Sequence, residues 1–195
     1  MISDSACNAV FLSNLLPAYY LEVYNQFVRV FEKWEIKHGL IPMCKDIWVR
    51  DFMPLQVKED YFIYSKLDRD VLQTEMGAET ISDTREICQA MQLRATPRNI
   101  KLQGSNVVTC GKKAIITTKV FKENNWPSEN ALISEIRSLL NVEQLIVIPQ
   151  EPFDPIGHVD NMVRFLDEST VLINQYPQYP DNSDYGDFGL SLRWN

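Results

Sequence analysis

Residues 154–165 read Asp154-Pro155-Ile156-Gly157-His158-Val159-Asp160-Asn161-Met162-Val163-Arg164-Phe165. An apolar run, Leu145-Ile146-Val147-Ile148, precedes the stretch and ends at Pro149, and a second run, Thr170-Val171-Leu172-Ile173, follows it. The stretch is therefore a polar insert between two strands. On an extended backbone His158 and Asp160 point the same way, being two residues apart. Gly157 would let a ligand or a backbone segment approach closely. A histidine and a carboxylate on one face can serve as proton carrier and cation binder. Taken alone, the same residues also describe a satisfied histidine near a turn.

Two further inserts lie upstream. Lys45-Asp46-Ile47-Trp48-Val49-Arg50-Asp51-Phe52-Met53-Pro54 brings an acid, an aromatic face and a guanidinium together at a strand end. A carboxylate can accept two N–H donors from one guanidinium, a geometry lysine does not offer. A surface turn with a local Arg50–Asp51 pair is the alternative reading. Gln103-Gly104-Ser105-Asn106 is by itself a turn signal. Asp51, Asn106 and Asp160 are spaced by 55 and 54 positions. A period near 50 suggests repeated supersecondary units around a common axis. An ordinary α+β domain with coincidental spacing gives the same count.

The intervening segments fit such units. Ala9-Val10-Phe11-Leu12 reads as a short buried strand. Pro17 opens a helix, where its missing N–H costs least. Tyr20, Tyr24, Phe27, Phe31 and Trp34 form one face of that helix, and His38-Gly39 is its exit. Tyr61-Phe62-Ile63-Tyr64 is a strand. Asp83 and Glu86 start a second helix with Ile87, Ala90 and Met91 inside. Ala114-Ile115-Ile116-Thr117 is a strand. Pro127-Ser128-Glu129 starts a third helix, with Leu132, Ile136 and Leu139 or Leu140 inside. The expected organisation is one domain over 1–195. Its blade-like units lie at about 9–66, 82–119 and 127–175, and residues 176–195 form a tail. In that tail 176–185 reads as a loop and 190–194 as the first turn of another helix.

Composition narrows the function. At 195 residues the chain is long enough to bury a core, and it has no apolar run near the roughly 18 residues of a membrane helix. It carries 19 Lys+Arg against 26 Asp+Glu, a net charge of −7. Without a basic stripe, nucleic acid is not an expected partner, whereas an acidic cleft suits a cationic small ligand. His38 and His158 are the only histidines and no Cys-x-x-Cys pair exists, so neither a zinc site nor a dithiol redox site is expected. Phosphate-cradling glycine loops and the Gly-x-Ser-x-Gly elbow are absent. The segment Met1-Ile2-Ser3-Asp4-Ser5 lacks the basic and apolar regions of a secretory leader, so a cytoplasmic setting with reduced thiols is expected. Cys7, Cys44, Cys88 and Cys110 read as small buried hydrophobes.

The three inserts together resemble the agmatine deiminase and bacterial peptidylarginine deiminase family, of the guanidine-modifying pentein superfamily. The family's first motif, roughly N-D-x-W-x-R-D-x-G-P, is matched by Asp46, Trp48, Arg50, Asp51 and Pro54, while Lys45 and Met53 depart from it. Its second, an acid followed by G-G-N, is matched by Gly104 and Asn106, with Ser105 and Gln103 departing. Its third, D-x-x-G-H-x-D with an Arg-Phe strand, is matched by Asp154, Gly157, His158, Asp160, Arg164 and Phe165.

The resemblance implies an α/β fold, namely an incomplete α/β propeller of the pentein type with about three ββαβ-type blades of five. It implies a cationic guanidinium ligand, either a small molecule such as agmatine or arginine, or an arginine side chain. Asp51 and Asp160 would grip its nitrogens, with Trp48, Arg50 and Asn106 as further substrate-binding residues. His158 would be the general acid/base and Gln103 would stand at the family's acid position. A cysteine thiolate would attack the guanidinium carbon, and no metal or organic cofactor would take part. Gln103 can hydrogen-bond an imidazole but cannot supply the negative charge that stabilises imidazolium. The family's nucleophile lies in a glycine-rich segment near its C-terminus, and no cysteine follows Cys110 here. Catalysis by this chain alone is therefore not expected. A non-catalytic guanidinium binder, or an interaction module that self-associates through open propeller edges, is the alternative.

Overall fold

The computed structural model describes residues 1–65, 80–152 and 154–175. The loop expected at 176–185 and the helical turn expected at 190–194 lie outside these residues. The chain divides into two compact units, Ala6–Gly104 and Met1–Ser5 with Ser105–Asn195.

In the first unit β1 (Ala9–Ser13) and β2 (Lys37–Ile41) pair in parallel, from Ala9 opposite Lys37 to Ser13 opposite Ile41. Parallel neighbours need a crossover, which α1 (Leu16–Tyr19) and α2 (Leu21–Lys33) provide. Pro17 does sit in the first turn. The single helix expected from it is two, because Tyr20 leaves helical geometry at φ −136° and ψ 52°. Of the five aromatic residues on the expected face only Phe31 is buried, while Tyr20, Phe27 and Trp34 are exposed. A two-stranded sheet gives a helix a narrow seat. Phe31 fills it, its ring 5.1 Å from that of His38.

His38-Gly39 is not the helix exit. Both residues lie inside β2, opposite Val10 and Phe11. The left-handed position that ends the helix is taken by Glu35 at φ 51°, and Ile36 N donates to Phe31 O at 2.8 Å to close the last turn. A glycine nearby attracted the cap assignment, but a charged residue bears the strain.

The rest of this unit holds α3 (Val49–Phe52), β3 (Leu55–Lys58), β4 (Tyr61–Ser65), α4 (Thr84–Ala90) and β5 (Ala95–Arg98). β3 and β4 are antiparallel, and β4 and β5 are parallel. Asp83 caps α4 by accepting from Arg85 N at 2.9 Å and Glu86 N at 3.1 Å. Ile87 is fully buried as expected, while Ala90 is exposed and Met91 only half-buried. Ile87 joins Ile41, Cys44 and Phe52 in the local core.

The second unit repeats the plan. β6 (Val108–Cys110) and β7 (Lys113–Thr117) are antiparallel, and β7 pairs in parallel with β8 (Gln144–Ile148). Between them run α5 (Lys119–Glu123) and α6 (Glu129–Leu140). Ser128 caps α6 through Ala131 N at 3.2 Å, and Leu132, Ile136 and Leu140 form its buried face. The N-terminal ammonium of Met1 donates to Leu140 O at 2.6 Å, satisfying a carbonyl at the helix's C-terminal end. β9 (Val163–Phe165) and β10 (Val171–Ile173) form an antiparallel pair. The core here is Val108, Ile115, Ile148, Val159, Met162 and Val163.

An antiparallel pair, a helix and a parallel strand thus occur twice, over 55–98 and 108–148. The fold is mixed α/β, built from small sheets of two or three strands among the described residues.

Candidate active site

The second unit carries Asn106, His158 and Asp160. Asn106 closes a 3-10 turn, Gly104–Asn106, and is 1% exposed. Its Oδ1 accepts from Thr117 N at 3.1 Å and from Val159 N at 3.3 Å. The Thr117 hydroxyl lies 2.9 Å from Asn106 Oδ1 and 2.8 Å from Gly157 O, and its one proton serves one of them at a time. The end of the second motif thus braces the third, 53 residues later. Two backbone donors point at one oxygen, which fixes the amide's orientation. The opposite atom, Nδ2, is buried without a hydrogen-bond partner among the described residues.

His158 and Asp160 are not on a strand, contrary to the sequence reading. His158 (φ −83°, ψ 139°) stands just before the 3-10 turn Val159–Asn161, which contains Asp160, and its side chain makes no capping bond to it. The alternation that would put both side chains on one face does not apply to a turn. His158 is 4% exposed. Asp160 is half-buried and pairs with Arg164 at 3.7 Å. Gly157 takes φ +65°, and a Cβ there would lie 2.5 Å from Cδ of Gln150. Its role is a left-handed backbone beside a packed glutamine, and the space over it is filled.

Two residues missed in the sequence complete this cluster. Thr117 was read only as a strand end. Lys119, two positions on, places Nζ 3.3 Å from His158 Nε2 and 3.5 Å from Glu123 Oε1. The Lys119 and Glu123 side chains are 13% and 18% exposed. Nothing in the local sequence signals Lys119, because its partner lies 39 residues away.

The first unit carries Trp48, Arg50, Asp51 and Gln103. Asp46 Oδ1 accepts from Ile47 N at 2.5 Å and Trp48 N at 3.3 Å, an Asx turn that starts α3. Trp48 precedes that helix and is 68% exposed. Arg50 and Asp51 lie within it, Asp51 half-buried. Arg50 Nε donates to Gly104 O at 3.1 Å, so the first and second motifs meet inside this unit. A Cβ on Gly104 would fall 2.3 Å from Arg50 O, closer than any side chain tolerates. Gln103, half-buried, precedes this contact.

Among the described residues no disulfide joins the cysteines. Cys44, Cys88 and Cys110 are buried as expected, but Cys7 is exposed. Burial pushes the Cys88 thiol up to about 11, and Cys44 Sγ lies 3.3 Å from Ile41 O. A protonated, enclosed thiol is a poor nucleophile. Among the described residues no three His, Cys, Asp or Glu side chains are grouped to hold a metal ion. None of the described helices is long and apolar enough to cross a membrane.

Solved structures share this fold. An agmatine deiminase from C. jejuni superposes with a TM-score of 0.69 at 14% identity, covering 95% of this chain and 67% of its own. A candidate peptidyl-arginine deiminase gives 0.70 at 12% identity, covering 98% of this chain and 70% of its own. A cysteine-to-serine variant of the C. jejuni agmatine deiminase with substrate bound gives 0.61 at 15% identity, covering 93% and 67%. No curated protein sequence matches. The family model for Porphyromonas-type peptidyl-arginine deiminase matches residues 21–188 and so includes all three motifs: the chain belongs to that family.

Proposed function

We propose that the chain binds a guanidinium group and carries part of the machinery that hydrolyses it to a ureido group and ammonia. The observation that supports this reading best is the family match over 21–188, which takes in His158 and Asp160 on a turn braced by Asn106. In this reading Asp160 accepts N–H donors from the guanidinium, and Asp51, by its place in the first motif, supplies a second carboxylate. His158 is the general acid/base: it protonates the departing ammonia and then activates water. Trp48 and Arg50 contribute to ligand binding from the first motif. Asn106, whose Oδ1 is committed to backbone donors, serves the site by holding it. Gln103 stands where the family has an acid.

Hydrolysis through a covalent intermediate needs a thiolate to form the S–C bond as the C–N bond breaks. The substrate-bound relative with its cysteine replaced by serine supports a cysteine in that role. In this chain Cys44, Cys88 and Cys110 are enclosed, Cys88 is held protonated, and the exposed Cys7 lies outside all three motifs. We therefore assign the 195 residues guanidinium binding without turnover. Calorimetry with agmatine and with arginine tests the binding, and an ammonia-release assay tests the turnover. Binding without ammonia is expected. Absence of binding to agmatine, arginine and an arginyl peptide refutes the reading.

A further inference from the structure

We infer that the outer edge of β1 is a self-association surface: it pairs antiparallel with β1 of a second copy of this chain, about a twofold axis through Phe11. The surface lies outside the proposed guanidinium chemistry and uses none of its residues.

The topology shows which edge is open. In the sheets β3-β4-β5 and β6-β7-β8 the middle strand precedes the helix, with an antiparallel neighbour on one side and a parallel one on the other. β1 holds the same place, before α1 and α2 and parallel to β2, but has no antiparallel neighbour among the described residues. Asn14 N donates to Ile41 O at 3.1 Å, Ile41 being the β2 residue opposite Ser13. Peptide groups alternate in direction along a strand, so Val10 and Leu12 also bond to β2, while Ala9 and Phe11 present N–H and C=O to the open edge. Such an edge is a template for another strand, and no lysine, proline or bulge guards Ala9–Ser13. The side chains agree. Phe11 is 46% and Val10 36% exposed, and as neighbours on a strand they lie on opposite faces. Neither face is sealed, and a strand on this side widens the narrow seat of α2.

The strand's own sequence identifies the occupant. Asn8-Ala9-Val10-Phe11-Leu12-Ser13-Asn14 is nearly symmetric in chemistry about Phe11. Laid antiparallel on itself with Phe11 opposite Phe11, it sets Val10 against Leu12, Ala9 against Ser13 and Asn8 against Asn14. The Phe11 N–H and C=O then exchange two bonds with their counterparts, and aliphatic pairs flank them. The chain carries a net charge of −7, yet no charged residue lies between Asp4 and Glu22, so two copies meet here without like charges opposed. Ser13 is buried and ends the pairing, which is therefore short and centred on Phe11. One patch serves both copies, which is the isologous contact a twofold dimer requires.

Sedimentation of the full chain over a wide concentration range, with amide exchange at the same concentrations, tests the inference. The wild type is expected to show a reversible monomer–dimer equilibrium. Its Phe11 amide is expected to exchange more slowly as concentration rises, while the Leu12 amide, already bonded to β2, does not change. Phe11→Lys sets two ammonium groups against each other across the axis and is expected to raise the dimer Kd at least about tenfold. A wild type that stays monomeric leaves the edge to a different protein and overturns the inference. So does a dimer that Phe11→Lys leaves intact, or a Phe11 amide whose exchange is independent of concentration. The wild-type exchange alone decides the matter if the variant does not fold. No guanidine enters the readout, so failure of the proposed function and failure of this inference are separable.

Discussion

Replacing Asn106 by alanine removes the oxygen on which the third motif hangs. Two buried backbone donors, Thr117 N–H and Val159 N–H, lose their acceptor. Each orphaned group costs about 1–3 kcal/mol, so the loss is about 2–6 kcal/mol. The substitution also deletes Nδ2, a buried donor with no partner among the described residues, which returns about 1–3 kcal/mol. Thr117 keeps its alternative acceptor, Gly157 O, at 2.8 Å. The net destabilisation is about 1–3 kcal/mol. For a chain of this size that lowers Tm by roughly 2–12 °C. Urea denaturation gives the free energy, and amide exchange gives the place, because the Val159 amide should lose protection ahead of those in α6. A change below about 0.3 kcal/mol, with Val159 still protected, would refute the view that the second motif supports the third.

Four further outcomes follow from the structure. Gly104→Ala drives a Cβ to within 2.3 Å of Arg50 O and should cost at least about 1–3 kcal/mol, which denaturation measures. Asp83→Ala removes both cap acceptances at the start of α4 and should cost about 1 kcal/mol with the second unit's amide exchange unchanged. Native-state alkylation near pH 8 should label Cys7 alone, with Cys44, Cys88 and Cys110 reacting only on unfolding. The Cys88 thiol is raised from 9.0 to about 11, so the folded state holds its proton more tightly. That contribution to stability is present below the unfolded value and fades as pH rises from about 9 to about 11, a slope that Cys88→Ala should flatten.

The sequence carried the strand and helix signals wherever the determinant was local. The caps at Asp83 and Ser128 and the buried face Leu132, Ile136 and Leu140 follow from spacing and side-chain chemistry alone. The left-handed exit at Glu35 was not legible, because nothing about a glutamate advertises positive φ, and the glycine four residues on drew the assignment instead. The strand geometry expected for His158 and Asp160 failed for a related reason. Asn106 and Thr117 pin the segment into a turn through bonds spanning up to 53 residues, and such bonds leave no local trace. The same remoteness hid Lys119. Motif spacing picked out the candidate residues, while their mutual support is visible only in space.

Binding of agmatine measured by calorimetry on the wild type, on Asp160→Ala and on Asp51→Ala tests the central claim most directly. The account predicts saturable heat for the wild type and its loss in both variants, with thermal unfolding showing the variants folded. A wild type that takes up none of agmatine, arginine or an arginyl peptide, or a variant pair that binds as the wild type does, contradicts it.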